Sequence, residues 1–283
     1  MVKEPYPVRA TRLPAGSTIT WPAPEPGLFC PRGNRSGLTI SALPTPKPGK
    51  VHVWAASLEV ATPILEAFEN TLSSDERVRA AKFHFSEDRN RYIVARGWLR
   101  QLLGRYVSIP APAVEFVYGP KGKPALAGST NSAELQFNMA HSEDLALAAV
   151  ARGAFVGIDL ERVRTLQDAS DLVERFFSSR ENAQFKSLPD DQKPLAFFNL
   201  WTRKEAWLKA TGEGIAHLLS TVEVSFTPGT SAQLLSVPCG FAASSNWTMC
   251  DLNPGPGFAG AAVVAGNGAE TECRLWEHQS CGL

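Results

Sequence analysis

From Val51 onward, apolar and polar positions follow one order of strand-like and helix-like periods, and the chain runs through that order twice. Each pass opens on an apolar strand, VHVWAASL at 51–58 and AFVGIDLERV at 154–163. Each continues to a serine-led helix start, LSSDERVRAAKF at 72–83 and FSSRENAQFKSL at 177–188. Ser73 with Glu76, and Ser178 with Glu181, have the spacing of a capping box, which satisfies orphan amides at a helix N-terminus. The two starts are 105 residues apart. A longer amphipathic helix is predicted near 89–106 and again near 195–211. In the first, Tyr92, Ala95, Leu99, Leu102, Leu103 and Tyr106 recur at helical spacing. Two strand-like runs follow: VEFVYG at 114–119 answers VEVSFT at 222–227, and LALAAVA at 145–151 answers FAGAAVVA at 258–265. The shared order points to an internal duplication, an α+β chain of two similar halves over 51–153 and 154–283, with a cleft between them where a ligand would lie.

Composition adds an extension and removes several classes of function. Residues 1–50 hold ten of the 21 prolines, and proline fixes φ and removes a backbone donor. That stretch is expected to be irregular or extended, whether or not it orders against the body, and to carry no chemistry. The 28 basic and 28 acidic residues give a net charge of zero, which speaks against nucleic acid or an anionic membrane as a partner. No apolar run approaches the roughly 20 residues of a membrane span, and the N-terminus lacks the apolar core of a secretory signal. The five cysteines are odd in number and show no CxxC pairing, so reduced thiols in the cytoplasm are the economical expectation.

The candidate chemistry sits in four clusters. In GIDLE (157–161), Asp159 and Glu161 are two apart on a strand and point to one face. Side-by-side carboxylates repel unless protons or a cation compensate, and oxygen ligands suit Mg²⁺ or Mn²⁺. Alone, the pair reads more simply as an edge strand with Arg162 or Arg164 as partners. In WTRKEAWLK (201–209), Trp201, Glu205 and Lys209 share a helix side. Alone, Glu205 and Lys209 read as an exposed ion pair; beside the strand acids they offer a third carboxylate and, with Lys204, two lysines for a phosphate ester. Gly212 and Gly214 close that helix. FNMAHS (137–142) reads as a polar turn carrying His141, and GPKGKP (119–124) as a turn with two lysines whose amides could cradle a nucleotide. Arginines run through residues 77–105; a subset could grip an anion, and most read as solvated helix faces.

In this order, GPKGKP, FNMAHS, GIDLE, RFFSSRE (175–181) and WTRKEAWLKATGEG (201–214) resemble the 4′-phosphopantetheinyl transferase superfamily, and within it the pseudo-dimeric, surfactin-type branch. The resemblance implies two α/β halves related by a pseudo-two-fold axis, with the active site between them. It implies transfer of the phosphopantetheine arm of coenzyme A to a serine of an apo acyl, polyketide or peptidyl carrier protein by a monomer, with release of adenosine 3′,5′-bisphosphate. By the same resemblance, Asp159, Glu161 and Glu205 would hold Mg²⁺, with Mn²⁺ as the alternative, and Glu205 would also be the general base. Lys209 would stabilise the leaving group, with Lys204 beside it on the ligand. His141, Arg91 and Arg79 would hold the 3′-phosphate, and Lys123, Gly122 and Pro124 would line the adenine pocket. Ala140 departs from the family pattern, which often has serine there, and removes one hydroxyl contact to the ligand.

Overall fold

The computed structural model describes residues 11–12, 19–20, 42–131, 133–212, 219–238, 247–266 and 268–275. It is a mixed α+β fold with two main sheets. In the first, β3 (Lys50–Ser57) is followed by α1 (Thr62–Thr71), α2 (Ser74–Ala80) and the long α3 (Ser86–Val107). A short hairpin of β4 (Phe116–Tyr118) and β5 (Pro124–Leu126) leads to β6 (Leu135–Ser142) and β7 (Leu145–Arg152), which pair antiparallel in the order β3-β7-β6. The second sheet repeats the order. β8 (Val156–Arg162) is followed by α4 (Ala169–Phe176), α5 (Ser179–Lys186) and the long α6 (Lys193–Thr211). A small pair of β9 (Glu223–Val224) and β10 (Leu234–Ser236) precedes β11 (Trp247–Asn253) and β12 (Phe258–Ala265), giving the antiparallel order β8-β12-β11.

Strand alternation assigns each sheet two buried faces, which is why β3, β7 and β12 read as nearly unbroken apolar runs. Trp54, Phe137, Ala148 and Val150 pack with Trp98, Leu99 and Leu102 of α3. Met249, Ala261 and Val263 pack with Phe198, Ala206 and Trp207 of α6. Between the sheets, Val51, Val53, Leu147 and Ala149 meet Ile158, Leu160, Ala262 and Val264. Helix, sheet, sheet and helix are thereby stacked around three apolar layers.

Both capping boxes form, at Ser73 and Ser178. Each delivers its glutamate to a long helix. Glu76 is buried and takes Arg96 and Arg100; although burial pushes its carboxyl up, the hydrogen bond from Arg100 and the neighbouring charges hold it below the usual range. Arg96 and Arg100 are therefore not part of a solvated face. Glu181 is buried in the same way and takes Lys204.

The described part of the proline-rich stretch is extended, as expected, and one other expectation changes. Order begins before Val51: Leu43 donates its amide to the Arg105 carbonyl at 2.9 Å and packs on the first core. Within the proline-rich segment, β1 (Thr11–Arg12) pairs with β13 (Glu270–Leu275), which lies beside β3, and β2 (Ile19–Thr20) pairs with β11, so each main sheet gains an edge strand. FNMAHS is not a turn but the C-terminal six residues of β6. Its polar residues suit a strand because Asn138 and Ser142 hydrogen-bond to the neighbouring backbone.

Candidate active site

The site is built where β8 crosses α6. A Cβ built on Gly157 would stand 2.0 Å from the Ala206 carbonyl oxygen and 2.3 Å from the Ala210 nitrogen. Only glycine admits helix backbone that close. Residues two and four positions further along β8 share the Gly157 face, so Asp159 and Glu161 are carried against the side of α6 that bears Glu205 and Lys209. Asp159 is 5% exposed and Glu205 4%, on a chain whose charged residues are mostly at the surface.

Lys209 Nζ donates to Asp159 Oδ1 at 2.6 Å. Asp159 Oδ2 and Glu205 Oε1 are both buried without a hydrogen-bond partner, an arrangement that costs free energy unless a proton or cation supplies the missing contact. Burial is the main cause that pushes the Glu205 carboxyl up to about 7; the charges of Asp159 and Glu161 add to it and Lys209 opposes. Burial likewise pushes Asp159 up to about 6 against the pull of Lys209. The two buried acids thus hold more protons near neutral pH than exposed carboxylates would.

Beside them opens a cavity of about 200 Å³, lined by Lys121, Gly122 and Lys123 of the β4–β5 turn, by Asn138 of β6, and by Glu205, Leu208, Lys209 and Gly212. Gly122 adopts φ 80°, which closes the turn, and Pro124 starts β5 opposite Tyr118. Lys123 reaches across to donate to the carbonyls of Val156 at 3.0 Å and Ala210 at 3.1 Å, and burial lowers its pKa to about 8. Its ammonium pins the turn to β8 and α6, while the cavity is offered its stem. Gly212 ends α6 in the left-handed region, with φ 77°; Gly214 lies outside the described residues.

His141 is exposed at the end of β6. Surrounding protein atoms, then the charges of Lys209 and Arg91, lower its pKa below the usual imidazole value; since the ring touches solvent, the two cations are the firmer cause. Arg91 is half-buried and paired with Glu87 at 2.7 Å. Arg79 stands on the exposed side of α2 with its guanidinium 5.7 Å from the Tyr92 ring centre. Lys204 is a correction. Its side chain is fully buried on the opposite side of α6, where it binds the Glu181 carboxylate and donates to the Leu219 carbonyl at 2.6 Å. One residue along a helix is a 100° turn, so Lys204 and Glu205 cannot share a face. Asn138 and Ser142 were missed; their two-residue phase with Ala140 was the available signal.

As placed, no group of three His, Cys, Asp or Glu side chains among the described residues closes around a metal. The donor set still fits a hard divalent cation, because two buried carboxylates each present an unpartnered oxygen.

Comparison with known proteins decides the family. Residues 155–265 match the model of the 4′-phosphopantetheinyl transferase superfamily, and residues 59–152 match that of the 4′-phosphopantetheinyl transferase N-terminal region. The chain is 42% identical to the 4′-phosphopantetheinyl transferase HetI of Nostoc sp. over 81% of this chain and 92% of that protein. This chain belongs to the 4′-phosphopantetheinyl transferase superfamily. A putative 4′-phosphopantetheinyl transferase of Synechocystis is 34% identical to this transferase over 56% of the chain and 65% of that protein. The 4′-phosphopantetheinyl transferase Sfp of Bacillus subtilis is 24% identical over 56% and 68%. No helix among the described residues of the transferase is long and apolar enough to cross a membrane.

Proposed function

We propose that this transferase moves the phosphopantetheine arm of coenzyme A to the serine hydroxyl of an apo acyl, polyketide or peptidyl carrier protein, releasing adenosine 3′,5′-bisphosphate. The observation that supports it most is the pair of unpartnered, buried oxygens on Asp159 and Glu205 beside Lys209, at the rim of a cavity large enough to accept part of a nucleotide. The duplicated element order supports two halves, 51–153 and 154–283, related by a pseudo-two-fold axis, with the site in the cleft between them. We read the protein as a cytoplasmic monomer.

Asp159, Glu205 and Glu161 would hold Mg²⁺ or Mn²⁺, which when bound offsets the charge of a pyrophosphate. The remaining work belongs to side chains. Glu205, buried beside Asp159 and lining the cavity, is placed to accept the serine proton. Lys209 carries its charge beside Asp159, where a departing phosphate needs stabilising more in the transition state than before it. His141 and Arg91, with Arg79 further out on α2, would supply basic groups for the 3′-phosphate, and Gly122 and the Lys123 stem, followed by Pro124 at the start of β5, would form the wall for adenine.

The test is the intact mass of an apo carrier protein incubated with the transferase, coenzyme A and Mg²⁺, with and without EDTA. A metal-dependent gain of about 340 Da, one phosphopantetheine arm, is expected. Coenzyme A cleaved without a carrier would identify a hydrolase instead, and no gain on any carrier class would sink the reading. His141→Ala is expected to raise KM for coenzyme A about 10-fold, the loss of roughly 1.4 kcal/mol of binding, while kcat changes less than about threefold. An unchanged KM removes His141 from the phosphate rim.

A further inference from the structure

The strands that carry His141 and the two acids are neighbours without a main-chain ladder between them. The described pairings join β6 to β7 and β8 to β12, leaving the facing edges of β6 and β8 to side chains. Two β6 side chains take the ladder's place. Asn138 Oδ1 accepts the Ile158 amide at 2.9 Å, and Ser142 Oγ accepts the Arg162 amide at 3.0 Å. Both sets of partners are four residues apart in the same sense, so the strands lie parallel in a fixed register, with Asp159 and Glu161 between the two anchored amides.

Ser142 does more than replace a ladder bond. Its hydroxyl donates to Glu161 Oε2 at 3.1 Å while accepting from Arg162. A hydroxyl has one hydrogen and two lone pairs, so one buried atom serves both contacts and ties the Glu161 carboxylate to the backbone that follows it. Glu161 is half-buried on the rim, and a free glutamate there would sample several rotamers.

We infer that Ser142 is a positioning residue for the transfer reaction: it orients the Glu161 carboxylate, and with Asn138 fixes the phase of β8, so that the three acids meet a divalent cation in one arrangement. The inference rests on the reading of Asp159, Glu161 and Glu205 as the acids that hold the cation. Ser142 itself touches neither cation nor substrate in this account. Partners that hold a ligating carboxylate commonly change metal affinity by about 10-fold or more when removed.

The probe is Mn²⁺, titrated into the full chain with coenzyme A present and followed by the electron paramagnetic resonance signal of the free ion, alongside thermal melting of each variant. Ser142→Ala is expected to weaken Mn²⁺ binding about 10-fold at a temperature where the variant is fully folded, and Ser142→Thr, which keeps the hydroxyl, to restore it. Ser142→Cys, of similar size with weaker hydrogen bonds, carries the same expectation should the alanine variant not fold. A purely packing role for Ser142 would lower the melting temperature and leave Mn²⁺ affinity unchanged, and that result overturns the inference. Wild-type protein that binds no Mn²⁺ would overturn the reading beneath it, which separates the two failures.

Discussion

Glu205→Gln should cut transfer to a carrier protein by at least about 10³-fold, leave coenzyme A binding largely intact, and make the metal-free protein more stable above pH 7. The activity loss follows from removing the one carboxylate among the described residues that combines burial, an unpartnered oxygen and a place in the cavity lining beside Asp159. The stability gain follows from the direction of its pKa. Burial, with the nearby Asp159 charge, raises Glu205 from the usual 4.5 to about 7, so the folded state holds its proton more tightly than the unfolded chain does. That contribution is fully present below about pH 4 and is lost as pH rises through about 7. Glutamine has the same shape and no charge to desolvate, so the variant escapes the loss, worth roughly 3 kcal/mol. Melting curves without metal from pH 4 to pH 8 should show the two proteins converging in acid and the variant ahead at high pH. Full transfer activity in the variant would remove Glu205 as base and ligand. Parallel pH profiles would remove the account of the buried acids.

Gly157→Ala should destabilise the protein by more than about 3 kcal/mol, the upper part of the range for overpacking, and should abolish transfer in whatever fraction folds. The added methyl would lie 2.0 Å from a carbonyl oxygen and 2.3 Å from a backbone nitrogen of α6. Neither atom is the flexible end of a side chain, so relief requires β8 and α6 to separate. The same separation would draw Asp159 away from Lys209 and Glu205, since all three are placed by that one crossing. Gly128→Ala, at an open position with an ordinary φ, is the control and should melt close to wild type. If Gly157→Ala melts with the control, the crossing is looser than described, and the close approach does not set the site.

Some of this architecture was legible because it is local. Capping boxes at Ser73 and Ser178, the αL stop at Gly212 and the apolar phase of α3 are each written within a few residues, and each forms where the spacing predicts. The order of elements was legible for the same reason, as was the shared face of Asp159 and Glu161. Misreadings arose where a residue's meaning depends on a distant partner. FNMAHS looks like a turn because it is polar; it is a strand because the amides of Ile158 and Arg162 satisfy it from another sheet. Lys204 looks like a ligand residue because it adjoins Glu205, but the turn of the helix sends it to Glu181 in the core.

The sequence by itself determined most of the secondary elements, their duplicated order and the pool of chemical groups, because periodicity, capping and motif spacing act over a few turns of chain. Tertiary structure alone decided which of those groups meet. Helix and strand must approach at Gly157 before Asp159 and Glu205 can share a buried space, and burial, aided by the neighbouring carboxylate charges, moves their carboxyls toward neutral pH. The difference is physical: hydrogen-bond spacing is a property of neighbouring residues, whereas desolvation and charge coupling belong to whatever the fold packs around a side chain.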